Sequence, residues 1–299
     1  SHIEVDDAGK CRSVYYIARV TRTHQEVYGK AVVLCASPLE STRIMLNSTS
    51  SRYPTGIANS SGVLGHYLMD HVMGGGASGI LPVLKGVPDT RGNRPNGVYI
   101  PRFRNLEERH PDFLRGYGYQ GSANLVKWGH AINIPGFGAE FKQQVRNTRP
   151  WSISIGGFGE HLPRYENFCE LDKIHVDAWG IPVLHISAAY GDNEKAMIND
   201  MADAAEEMLR AAGAEDIEVE REVSAPGLAI HEVGTARMGA DPKTSVLNSY
   251  EQAHDVSNLF VMDGSGYPSS ACQNPTITFM ALATRACEYL VEELRASRI

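Results

Sequence analysis

The sequence is poor in cysteine, has no long apolar run and carries no excess of positive charge, and each shortage removes a class of protein. Its five cysteines (Cys11, Cys35, Cys169, Cys272 and Cys287) lie far apart, with no C-x-x-C pair. They form neither a zinc motif nor a disulfide framework, and periplasm and cytoplasm are both compatible with them. No stretch approaches the ~18 uninterrupted apolar residues of a membrane helix, so no spanning segment is expected. Basic residues number 28 against 35 acidic, a net charge of −7. A protein that lives on phosphate contacts leans the other way, so nucleic acid is not an expected partner. What is there is ordinary globular material, 42% hydrophobic and 21% charged over 299 residues, enough for one large or two modest domains. Ser1-His2-Ile3 runs at once into strand-like sequence, with no initiator Met, basic n-region or apolar h-region, so residue 1 is not expected to be a natural domain start.

Ser13 to Thr21 and Gln25 to Tyr28 are rich in β-branched and aromatic residues and predict two antiparallel strands. Lys30 to Cys35 (KAVVLC) is a short continuous apolar run, the pattern of a strand buried on both faces in a parallel sheet. Small residues Ala36 and Ser37 follow, then Pro38 and a helical segment from Leu39 to Leu46. A buried strand, a tight small-residue turn and a helix make either the edge of a nucleotide-binding crevice or an ordinary connection. His66 and His71 lie five apart around Asp70; helical metal pairs prefer three or four, so packing or hydrogen bonding is the expected role. Gly74-Gly75-Gly76 suggests a close backbone approach.

Residues 81 to 150 are loop-rich, with prolines from Pro82 through Pro95 to Pro150. Tyr117, Tyr119, Trp128 and Phe137 lie among glycines there, as local core or as sugar-stacking rings. Trp151–Ile155, Lys173–Val176 and Pro182–Ser187 predict strands of an antiparallel sheet. Asp192 to Gly213 is the clearest helix, with Met197, Met201, Ala204, Met208 and Ala212 on one stripe and Asp192 or Asn193 as cap.

The last seventy residues carry the chemistry. HEVGTARMG (231–239) opens like a zinc-protease motif, but Thr235 stands where the second histidine would be, so no metal site is expected. A buried strand, Asn258 to Asp263, leads into Gly264-Ser265-Gly266. Then QNPT (273–276) opens a long helix. Asn274 is a favoured N-cap and Pro275 a favoured first helical residue. The free backbone N–H groups of Thr276 and Ile277 can stabilise an anion, and the same pattern also reads simply as a well-capped helix. Ile277, Met280, Ala283, Cys287, Leu290, Val291 and Leu294 are the expected inward face.

HEVGTARMG followed by NLFVMDGSGYPSSACQNPTITFMALATRACEYL resembles the C-terminal signature of the glucose–methanol–choline (GMC) flavoprotein oxidoreductases. KAVVLCASPLESTRIML and GVLGHYLMDH resemble earlier segments of the same family, and within it the asparagine of NPT resembles pyranose 2-oxidase and bacterial glucoside 3-dehydrogenases. The resemblance implies a mixed α/β fold. Part of a Rossmann-like FAD-binding domain (residues 1–80 and 229–299) would accompany a substrate domain (81–228) with an antiparallel β-sheet packed on helices. It implies FAD as cofactor, with Ala36, Ser37, Asp263, Gly264, Asn274, Pro275 and Thr276 near it, and His231 and Asn274 as catalytic base and hydrogen-bonding partner. The implied reaction is oxidation of a sugar or related secondary alcohol, with oxygen or a redox carrier as electron acceptor. Rival expectations are a lyase on the same fold, a non-catalytic fragment and a hydrolase using His66, His71 and His231. The family's strand–GxGxxG–helix unit does not occur here, which implies that a second polypeptide or a cleaved segment carries it.

Overall fold

The computed structural model describes residues 1–88, 97–126, 128–147 and 150–299; Pro95 and the Trp128 side chain lie outside the described residues. In chain order the strands are β1 (His2–Val5), β2 (Cys11–Ile17), β3 (His24–Tyr28), β4 (Val32–Leu34), β5 (Gly75–Ile80), β6 (Gly97–Ile100), β7 (Tyr117–Leu125), β8 (Trp151–Gly159), β9 (Phe168–Val176), β10 (Pro182–Ser187), β11 (Glu215–Arg221) and β12 (Leu259–Val261). The helices are α1 (Pro38–Asn47), α2 (Gly138–Asn147), α3 (Asp192–Ala211) and α4 (Thr276–Arg295). The chain divides into two compact units, one of residues 1–71, 161–189 and 225–299, the other of 72–160 and 190–224.

In the first unit, β1, β2 and β3 form an antiparallel sheet, as the β-branched and aromatic runs predict. β4 pairs with β12 in parallel, Val32 opposite Leu259 and Leu34 opposite Val261. The two pairings are joined by one side chain. Asn258 is buried; its Oδ1 accepts from the Cys11 N–H at 2.8 Å, and its Nδ2 donates to the carbonyls of Cys11 and Lys30 at 2.8 and 2.9 Å. A buried amide with every group satisfied fixes a strand as firmly as a ladder bond. The core beneath is built from Met45 of α1, Ile57, Leu64, Leu247, Val256, Leu259 and Val261. β4 departs from the expected double burial, since Val33 on its outer face is 41% exposed.

The hairpin β9–β10 also belongs to this unit and pairs with no strand of the other sheet. The expected middle segment, 81–228, is therefore divided. Arg43 of α1 supplies the reason. It donates to the Asp177 carboxylate at 2.8 Å and to the carbonyls of Ile181 and Pro182 at 3.1 and 2.7 Å, which holds the hairpin turn on α1.

The inward face of α4 also differs from expectation. Ala286 and Glu293 are buried and Phe279 and Leu282 half-buried, whereas Ile277 and Met280 are 81% and 65% exposed and Val291 and Cys287 are exposed too. Glu293 tolerates burial because Arg298 donates to both its oxygens. Of the expected stripe Ala283, Leu290 and Leu294 are half-buried, with Ala283 and Leu290 packed against Phe260 and Met262; the helix is apolar on two sides, so periodicity alone placed only part of its inward face.

The second unit is a five-stranded antiparallel sheet, order β11-β5-β8-β7-β6, covered by α3. The expected strand at Trp151 runs on to Gly159. Met197, Ile198, Met201, Ala205 and Leu209 are the buried stripe of α3, while Met208 is only half-buried and Ala212 exposed. The cap is Gly191 rather than Asp192 or Asn193, with the Glu194 carboxylate accepting from the Gly191 N–H at 2.9 Å. α3 approaches closely because the sheet beneath it lacks side chains. A Cβ on Gly75 would lie 2.4 Å from the Ile198 carbonyl oxygen, and one on Gly157 would lie 2.6 Å from Met201 Sδ. Residues 74–79, GGGASG, fit the letters of GxGxxG, yet β5 runs through them and only a single 3-10 turn, Pro82–Leu84, follows directly. Tyr117 and Tyr119 are fully buried core, and Phe137 is exposed.

Candidate functional site

In the first unit the parallel strands β4 and β12 end side by side, and their carboxyl-terminal turns are tied together. The Ala36 N–H donates to Ser41 Oγ at 3.1 Å, and Ser41 Oγ donates to Asp263 Oδ2 at 2.5 Å. The other Asp263 oxygen accepts from the Ser265 N–H and hydroxyl at 3.0 and 2.6 Å. Ala36, Ser37, Asp263 and Gly264 thus share one edge of the sheet, the edge where open α/β sheets take their ligands. Ser37 is exposed and sits at φ 75, outside the ordinary range for a residue with a Cβ. Gly264 is required by packing: a Cβ there would meet the Glu232 carbonyl at 2.9 Å and Phe279 and Pro38 at 3.0 Å.

The HEVGTARMG segment runs alongside the 264–266 turn. Gly234, Ala236 and Met238 donate their N–H groups to the carbonyls of Gly264, Ser265 and Gly266 at 3.0, 2.9 and 2.7 Å. On its other side Val233 and Met69 exchange both backbone bonds at 2.9 Å. His231 stands at the start of this segment. Beside it lies Asp70, 2% exposed, whose Oδ1 accepts from the N–H groups of His71 and His231 at 2.7 and 3.0 Å. Its Oδ2 accepts from the Ala229 N–H at 2.9 Å. The imidazoles of His71 and His231 meet edge to face, centroids 4.9 Å apart at 86°.

A cavity of about 440 Å³ opens in front of His231. His71, Tyr267, Ser270, Gln273, Asn274, Pro275 and Thr278 are among its walls. His231 and Asn274, forty-three residues apart in sequence, therefore face one space. Ser270 is anchored by His161: its Oγ accepts from the His161 N–H at 2.9 Å and donates to the His161 carbonyl at 3.1 Å. α4 begins at Thr276, one residue later than expected, with Pro275 already in helical conformation and no side-chain cap. Asn274 thus stands just before the N-cap residue, and Asn274, Pro275 and Thr278 bring the positive end of this twenty-residue helix to the cavity. His66 stacks on Tyr165 at 3.7 Å and its Nδ1 bonds the Tyr165 carbonyl at 2.7 Å, a packing role. Among the described residues no three His, Cys, Asp or Glu side chains are grouped to hold a metal ion.

Sequence reasoning overlooked Ser41, the clamp formed by Asp70, and Glu251. Glu251 is 1% exposed, and its Oε2 is buried without a hydrogen-bond partner among the described residues. Burial first and the Asp263 charge second push its carboxyl from 4.5 up to about 7, against the pull of Arg285. Below 4.5 the group is protonated in both folded and unfolded chains and costs nothing. Between 4.5 and about 7 the unfolded chain releases the proton first, so stability falls as pH rises and levels off above 7. Glu251→Gln should therefore raise stability by about 1–3 kcal/mol at pH 8 and change little at pH 4.5. Urea melts of both forms at the two pH values check this; equal gains at both would remove the titration as cause.

Residues 163–283 match the family model described as GMC oxidoreductase. The chain is 33% identical over 292 residues to a 2-methyl-1,2-propanediol dehydrogenase of Mycolicibacterium austroafricanum, covering 94% of this chain and 51% of that protein. It is 26% identical over 295 residues to the fructose dehydrogenase large subunit of Gluconobacter japonicus, covering 98% and 53%. The fold is similar to that of pyridoxine 4-oxidase from Mesorbium loti, with a TM-score of 0.61 at 18% identity over 96% of this chain and 56% of that one. The chain spans about half the length of the curated relatives it matches. The segment that bears His231 and the 264–266 turn lies inside this matched region, and the chain thus carries the C-terminal domain of the GMC oxidoreductases.

Proposed function

We propose that the whole protein oxidises a sugar or related secondary alcohol to a ketone, with FAD as cofactor and with His231 and Asn274 acting on the substrate hydroxyl. The observation that carries the reading is that His231 and Asn274 line one cavity, which the first turn of α4 also borders. A flavin suits the residues present. The backbone N–H groups of Thr276 and Ile277, at the start of α4, offer donors and a positive helix end to an electron-rich ring edge. The joined turns at Ala36–Ser37 and Asp263–Gly264 offer the strand-end edge.

FAD held at this edge would supply the redox chemistry, as acceptor of the hydride from the carbinol carbon. This chain supplies the rest. The His231 imidazole accepts the hydroxyl proton, a task for which imidazole is suited near neutral pH. The Asn274 amide donates to the oxygen as negative charge develops and holds the carbon in place. Tyr267, Met238 and Leu282 give the cavity an apolar wall that keeps water from the reacting atoms. Polypeptide beyond these residues carries the dinucleotide-binding unit. It packs on the uncovered apolar face of α4 and the outer face of β4, where Ile277, Met280 and Val33 are exposed. Oxygen or a redox carrier then accepts the electrons.

Anaerobic mixing of the flavin-loaded whole protein with a panel of aldoses, ketoses, glycosides and short diols tests this. Bleaching of the flavin absorbance by at least one of them is expected, with a carbonyl product. A flavin that no member of the panel reduces, although dithionite does, would count against the reading.

A further inference from the structure

We propose that Asp70 is the positioning residue for His231, holding the 229–231 turn so that the imidazole points into the cavity. This rests on the reading of His231 as the base and adds what aims it. In catalytic triads a carboxylate bonds the imidazole ring directly and so sets its direction. Here His231 Nδ1 is buried with no hydrogen-bond partner among the described residues, so no such bond orients the ring. The carboxylate acts one step back, through the main chain. Asp70 Oδ1 takes the His231 N–H, and Oδ2 takes the Ala229 N–H, on either side of Ile230.

Ile230 is where the clamp is needed. It is β-branched at φ 56, a conformation such residues avoid, and at 77% exposure it has little packing of its own to hold it there. The flanking bonds to a buried carboxylate hold the turn instead, and charge-assisted bonds of this kind are the strong ones. The same Oδ1 also takes the N–H of His71, whose ring meets the His231 ring edge to face. One oxygen thus sets the backbone origin of both imidazoles, and His71 braces the one that faces the cavity. Asp70 itself touches no reacting atom in this scheme.

The test uses the flavin-loaded whole protein. Asp70→Asn leaves an oxygen for His71 and His231 but turns an NH2 group toward Ala229. The Ala229 amide should then exchange its hydrogen at least about tenfold faster, while the amides of His71 and His231 stay protected. The limiting rate of flavin reduction should fall about tenfold, and about 10²-fold in Asp70→Ala, with half-saturation changed less than about threefold. Ile230→Gly, which removes the strain at φ 56, should recover most of the rate lost in Asp70→Asn. Where Asp70→Ala does not fold, Asp70→Asn carries the test alone. Unchanged exchange at Ala229, or an unchanged reduction rate in Asp70→Asn beside a slowed His231→Ala, would overturn the positioning role and leave the base reading intact. An unchanged rate in His231→Ala would overturn the base reading and this inference together.

Discussion

His231→Ala is expected to slow flavin reduction by roughly 10²–10⁴-fold while leaving flavin binding in place, the usual worth of a positioned general base. The binding expectation follows from the geometry. Contacts that hold the 264–266 turn come from the backbone of Gly234, Ala236 and Met238, not from the histidine side chain. Asn274→Ala should cost less, because one donor is lost while proton abstraction continues. The two effects should not add fully if, as proposed, both groups act on one oxygen. Stopped-flow bleaching under anaerobic conditions measures all three variants. A His231→Ala protein with bound flavin and an unaltered reduction rate would leave HEVGTARMG as a structural segment only.

Gly234→Ala is expected to cost about 2–5 kcal/mol of stability, a large effect for a substitution that adds a single methyl group. Two penalties combine. Gly234 sits at φ +95, where an L side chain is strained. A Cβ there would also lie 2.1 Å from the Tyr67 carbonyl oxygen, a backbone atom that cannot swing aside. The 231–239 segment lies between the 66–69 segment and the 264–266 turn, bonded to both. Relief therefore requires parting one side or the other. Chemical denaturation of wild type and variant checks the magnitude, and a midpoint unmoved within error would mean that the close approach at Tyr67 is not present in solution. A Gly239→Ala control should be milder, because its Cβ would meet only the Ser245 side chain, at 2.8 Å.

Much of this was legible in the chain. The short apolar runs at Ala31–Cys35 and Leu259–Asp263 read correctly as strands with small-residue turns, because burial selects β-branched residues and tight turns select small ones. The α3 stripe at Met197 and Met201 was legible for the same reason, a helix with one apolar side. α4 misled because it is apolar on two sides; which side faces inward depends on neighbours, and the periodicity of 3.6 holds for either. The β9–β10 hairpin looked like part of one sheet with β8; contacts far apart in sequence hold it elsewhere, among them Arg43 to Asp177, 134 residues on, and the Cys169 N–H to the Gly65 carbonyl.

For the site, the resemblance of the KAVVLCASPLESTRIML, HEVGTARMG and QNPT segments to the GMC family pointed to His231 and Asn274 and to the turns at Ala36–Ser37 and Asp263–Gly264. Convergence was another matter. That His231 and Asn274 open onto one cavity depends on Gly234 passing Tyr67 and on the bonds from Gly234 to Gly264, contacts between segments some 30 to 170 residues apart. The part played by Asp70 had no sequence signal at all. The spacing of His66, Asp70 and His71 reads only as packing or hydrogen bonding, without naming a partner. The real partners of Asp70 are three backbone N–H groups, and a backbone donor is the same in every residue but proline, so no letter of the sequence marks it.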